Sequence, residues 1–161
     1  MDVTQKKNIF IYGYGNPGRQ DDAAGVVCVE HLMDWVVKEQ LTNIELDCDY
    51  QLSIEDANTI SQKDIVIFID ASQNDINGFS FSRIQPDLNV TFTMHAVSPN
   101  FILGLCLQLY NKKPQAFLMQ IKGNAWEIQE PISAGTQKNI QAALDFLKPI
   151  LFEPEKLTKW Q

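Results

Sequence analysis

The sequence predicts an α/β protein, a three-layer α/β/α sandwich around a mostly parallel sheet of roughly five strands. Three observations carry this. Strand-length apolar runs alternate with helix-length amphipathic segments along the whole chain. One run, at 64–70, sets five apolar residues between Asp64 and Asp70, the mark of a central parallel strand buried on both faces. The 161 residues, 45% hydrophobic and 20% charged, suffice for one domain with a real core, and no repeat, low-complexity tract or linker divides them.

The elements follow in order. Residues 8–13 are a first strand, ending in the glycine-rich turn Gly13-Tyr14-Gly15-Asn16-Pro17-Gly18. A helix over 22–38 repeats Val26, Val29, Met33 and Val36 at helical spacing. Residues 43–48 form a second strand. Ser53 opens a short helix to about 61, with Asp56 placed for a capping box. The central strand follows at 64–70, and 78–84 alternates Phe79, Phe81 and Ile84 as an edge strand. Residues 99–110 form an apolar helix entered through Ser98-Pro99, and 116–122 is a further strand. The last helix spans about 136–151, with Ile140, Ala143, Leu144, Leu147 and Leu151 on one stripe and Pro149 expected to end or kink it. A polar tail over 152–161 is expected to be loose.

Composition narrows the function. A net charge of −7 and a pI near 4.7 argue against non-specific nucleic-acid binding, which needs a basic face. No apolar run reaches the ~20 residues of a membrane span, and the start of the chain reads as a strand instead of a signal peptide, so a cytoplasmic protein is expected. Cys28, Cys48 and Cys106 are scattered and odd in number, consistent with reduced, mostly buried thiols. With no long exposed heptad or strand, a monomer is the expectation.

The glycine turn matches the dinucleotide pattern through Gly13, Gly15 and Gly18, but its chemistry fits poorly. A pyrophosphate needs bare N–H groups at a helix start, where Asp21 and Asp22 stand and would repel it. Carboxylates there suit a metal or acid–base role better. In a parallel sheet the ligand site lies beyond the carboxyl ends of the strands. Asp22 follows the first strand at that edge, Asp70 ends the central strand there, and His95 lies in the loop before the 99–110 helix. Two carboxylates and one imidazole suit a divalent transition metal and leave coordination positions open. Taken singly, Asp22 reads as a first-turn acid and His95 as a loop histidine. Asp70 is harder to dismiss, because an acid ending a buried run needs a partner. No G-x-S-x-G elbow or convincing Ser or Cys nucleophile is present.

Gly13-x-Gly15-Asn16, then Asp21-Asp22-x-x-Gly25, then Asp70-Ala71 closing a buried strand, then His95-Ala-Val-Ser98-Pro99 resemble the hydrogenase maturation proteases, as does the segment Gln51 to Glu55. The resemblance covers about 8–123 and extends the single-domain expectation to 1–161. Ala23 departs from the glycine common in the family, and 133–136 is less typical of it. The resemblance implies an aspartyl-type, metal-directed endopeptidase that removes the C-terminal tail of a nickel–iron hydrogenase large-subunit precursor after nickel insertion. It makes Asp22, Asp70 and His95 the metal-contacting and catalytic residues, with Asp21 a turn residue or a support behind the ligands and no cofactor bound elsewhere. The nickel is supplied by the substrate, so the free protein is expected to be metal-free. The metal would polarise the scissile carbonyl or activate a water, or one carboxylate would act as general base. Two alternatives stand beside this reading: a non-catalytic metal-binding maturation chaperone, and a dinucleotide-binding oxidoreductase using the Gly13-Gly15-Gly18 turn.

Overall fold

The computed structural model describes residues 6–88 and 97–160. A five-stranded sheet of order β2-β1-β3-β5-β4 runs through it. Strands β1 (Ile9–Tyr14), β2 (Ile44–Asp49), β3 (Ile65–Ser72) and β5 (Gln115–Lys122) are parallel, and β4 (Phe79–Ile84) is antiparallel at the edge. The mostly parallel α/β sandwich is therefore as predicted.

Alternation along the strands sorts side chains into two cores. Ile9 and Ile11 of β1, Ile65, Ile67 and Ile69 of β3, and Phe117, Met119 and Ile121 of β5 pack against α1 (Ala24–Lys38) and α4 (Ala134–Phe152). Phe10, Tyr12, Val66, Phe68 and Ala116 face α2 (Asp56–Ile60) and α3 (Pro99–Tyr110) on the other side. Each central strand is thus apolar on both faces, which is why 64–70 reads as an unbroken apolar run.

Helix ends follow their caps. Ser98 accepts a hydrogen bond from the Phe101 N–H at 3.1 Å, Pro99 occupies the first turn, and Asn111 ends α3 at a left-handed φ of 53°. In α2 only the return half of the expected capping box forms. The Ser53 N–H donates to Asp56 Oδ2 at 2.7 Å, and residues before Asp56 make turns, so the helix is shorter than expected.

Three further differences appear. The helix expected from 22 begins as a 3-10 turn, Gln20–Ala23, and becomes α-helical only at Ala24. Pro149 does not end α4, which continues to Phe152. Proline is exposed there, so its missing N–H falls on the side where water can serve the freed carbonyl. The segment expected to be loose, 152–161, carries a short helix, α5 (Glu155–Thr158), through its described residues. Leu157 is fully buried, and the Trp160 ring meets Phe81 and Phe146 edge-on at 5.2 and 5.7 Å. Leu157 and the Trp160 ring hold the tail, and its polar composition concealed them.

Among the described residues no helix is long and apolar enough to cross a membrane.

Candidate functional site

The β1–α1 turn sits at the carboxyl edge because two close approaches force it there. A β-carbon at Gly25 would strike the Ile69 carbonyl and meet the Tyr14 carbonyl, so the start of α1 lies directly on the ends of β1 and β3. Gly15 has a φ of 148°, and a β-carbon there would run into the Asp22 carbonyl. These contacts fold the 3-10 turn back over the strand ends.

Asp22 is the first side chain presented. Its Oδ2 accepts a 2.8 Å bond from the Asn16 N–H, closing the turn on itself. Asp70, at the end of β3, is half-buried. Burial pushes its carboxyl up to about 7, and the charge of nearby Asp22 pushes the same way; donation from the Ala71 N–H and the Tyr14 hydroxyl opposes both. The site therefore places Asp22 and Asp70 within electrostatic reach of each other. His95, the third expected ligand, lies outside the described residues. Among the described residues, no group of three His, Cys, Asp or Glu side chains is placed to hold a metal. A carboxylate that burial, aided by a second carboxylate's charge, keeps proton-binding near neutrality suits a divalent cation, which would take the place of that proton.

Tyr14 is a site residue that sequence reasoning did not find. It continues the spacing of Phe10 and Tyr12 and so looks like a third core aromatic. Its hydroxyl instead bonds Asp70, and burial together with the Asp70 charge raises its pKa. Register explains the pairing. Gly13 lies opposite Ile69, so Tyr14 and Asp70 come next on adjacent strands and share a face.

Asp21 has a different set of partners. It is fully buried and gathers the chain after β5. Its Oδ2 accepts from the N–H groups of Asn124 and Ala125 at 2.7 and 2.8 Å, and its Oδ1 from the Ser133 N–H at 2.8 Å. The hydroxyls of Ser133 and Thr136 each lie 2.7 Å from Oδ2. Burial alone would raise this carboxyl; the donors from Ser133, Asn124 and Thr136 overcome it and bring it down to about 2. Ser133 is also the N-cap of α4, so one hydroxyl joins helix start and turn. Further bonds strap the same loop down: Gln129 N–H to the Gly18 carbonyl at 2.9 Å and Glu127 N–H to Gln20 Oε1 at 3.0 Å. Trp126 has its ring where a Gly123 β-carbon would stand, and its carbonyl accepts from Arg19 Nε at 3.4 Å.

The turn has few amides left for a phosphate. Gly15 N–H donates to the Asp49 carbonyl, Asn16 N–H to Asp22, Gly18 N–H to Asn16 Oδ1 and Arg19 N–H to the Asn16 carbonyl. A pyrophosphate cradle requires those same groups, so the geometry disfavours the dinucleotide alternative. His31 is exposed on α1, and the three cysteines are free, with Cys28 and Cys106 buried.

No protein-family model matches the chain, and no curated protein matches it. Solved structures do. The NiFe hydrogenase maturation protease HycI from Thermococcus kodakarensis superposes with a TM-score of 0.70 at 22% identity, covering 94% of this chain and 97% of that one. The hydrogenase maturating endopeptidase HybD from E. coli gives 0.66 at 24% identity, over 91% and 93%. A hydrogenase 2 maturation peptidase from a Thaumarchaeota archaeon gives 0.66 at 18%, over 90% and 98%. The chain has the fold of these hydrogenase maturation proteases over nearly its whole length, as its motifs implied.

Proposed function

We propose that this protein is a metal-directed endopeptidase that removes the C-terminal tail of a nickel–iron hydrogenase large-subunit precursor once nickel is in place. One observation supports this most: on a fold shared with proteins named as hydrogenase maturation proteases, Asp22 and Asp70 both lie at the carboxyl edge of the sheet, within electrostatic reach of each other, where ligands of parallel sheets bind. In this reading Asp22, Asp70 and His95 contact the nickel that the precursor carries. The metal belongs to the substrate, and the pair is left carrying a proton until it arrives. In the alternative in which one carboxylate serves as general base instead of the metal activating the water, Asp70, with a pKa of about 7, is the one suited to take the proton near neutral pH. The Tyr14 hydroxyl holds the Asp70 carboxyl in place from the adjacent strand.

The test is to incubate the purified protein with a large-subunit precursor, with and without nickel, and to read intact mass. Loss of a C-terminal peptide from the nickel-loaded form alone is expected. Binding of the loaded precursor without cleavage would favour the maturation-chaperone alternative. Cleavage regardless of nickel would remove the metal from recognition.

A further inference from the structure

The α2/α3 face of the sheet changes character at its carboxyl edge. Lower down, Phe10, Val66 and Ala116 are in register and buried. In the row that ends β1 and β2, Asp49, Tyr14, Asp70, Gln120 and Ser80 lie side by side on β2, β1, β3, β5 and β4, and β3 and β5 pair for two residues beyond it. Alternation puts all of them on one face, because Cys48, Ile69, Met119, Ile121, Phe79 and Phe81 are turned to the other core. A polar row thus crosses the whole sheet with Asp70 in its middle.

The two ends of the row differ in chemistry. Toward β2 it is acidic, through Asp49 and the neighbouring Asp47 and Asp56, whose charges surround the Tyr12 hydroxyl. Toward β4 it is neutral. Gln120 and Ser80 are half-buried, and their one mutual contact is long, Ser80 Oγ to Gln120 Oε1 at 3.5 Å. The Gln120 amide nitrogen has no hydrogen-bond partner among the described residues. An amide that donates and accepts, beside a hydroxyl, matches the donor and acceptor of a peptide unit.

We propose that Gln120 and Ser80 form a subsite that hydrogen-bonds the main chain of an extended polypeptide lying beside the Asp22–Asp70 pair. This rests on the endopeptidase reading and makes the substrate's backbone a second recognition element next to its metal. It assigns no chemistry to Gln120, which binds and positions the chain.

The test uses the full-length protein and a nickel-loaded precursor, with Q120L and S80A compared to wild type in kcat, KM and precursor affinity. Q120L is expected to raise KM and weaken binding about tenfold with kcat within about twofold, as loss of uniform binding does. S80A, on the edge strand, is expected to raise KM about threefold. Unchanged KM and affinity in both variants would overturn the subsite while leaving the endopeptidase reading intact. If wild type binds the precursor without cutting it, the endopeptidase reading falls. The subsite then stands only if Q120L still weakens binding about tenfold. A fall in kcat with KM unchanged would also overturn it, since that places Gln120 in the chemical step.

Discussion

Asp21 and Asp22 are adjacent in sequence and differ in almost every other respect. Asp21 is fully buried among donors from residues 124–136, whereas Asp22 closes the Asn16 turn and faces Asp70. The titrations of Asp21 and of Asp70, the neighbour of Asp22, separate the two roles. In Asp22→Asn the neighbouring charge is gone, so the Asp70 midpoint should fall below about 7; carboxyl-carbon NMR reads it directly, and an unmoved midpoint would show that the two acids do not interact. The linkage signs are opposite. Asp70 keeps its proton in the folded state after the unfolded chain has released it near 3.8, so its contribution to stability falls as pH rises from there to about 7. Asp21 contributes fully above 3.8 and loses that contribution as pH falls toward about 2. Asp21→Asn leaves several donors facing an amide and should cost about 3 kcal/mol in urea unfolding at neutral pH. The acid pair was legible as a motif, and its division of labour was partly so, since Asp21 reads as a turn residue. Its partners Ser133 and Thr136 were not, because more than a hundred residues separate them from it and no local pattern marks that contact.

Among the elements, those marked by local chemistry were read closely. Ser98-Pro99 marked the start of α3, read at 99–110, and apolar runs located every strand of the sheet to within a residue or two. Elements shaped by tertiary contacts were not. The 3-10 turn at Gln20–Ala23 exists because Asp21 and Asp22 are drawn to different partners, and α5 exists because Leu157 finds a buried seat and the half-buried Trp160 ring packs on distant aromatics. Truncation after Glu153 should therefore lower stability by about 4 kcal/mol, mostly through the loss of Leu157 and the Trp160 ring. Chemical denaturation of the shortened chain checks this, and an unchanged midpoint would mean that the C-terminal helix is dispensable. The effect should be on stability and not on the site, since the aromatic cluster packs on the opposite face from Asp70.

At the scale of the molecule, a sheet buried on both faces leaves its carboxyl edge as the place where charge can collect, and that edge holds Asp22, Asp70 and the straps that fix them. The fold class and the carboxyl edge followed from the sequence, because burial of β3 and the ordering of strands and helices constrain both. The polar row across that edge did not, since it depends on register between strands far apart in the chain. The central claim is that this edge reads the nickel of a hydrogenase precursor. The measurement that tests it most directly is processing of the nickel-loaded precursor by wild type and by Asp22→Ala, Asp70→Ala and His95→Ala, read by intact mass and accompanied by circular dichroism. The account predicts that each variant is folded and that each fails to release the C-terminal peptide, a loss of at least about a hundredfold in rate. Normal processing by any two of the three would contradict it.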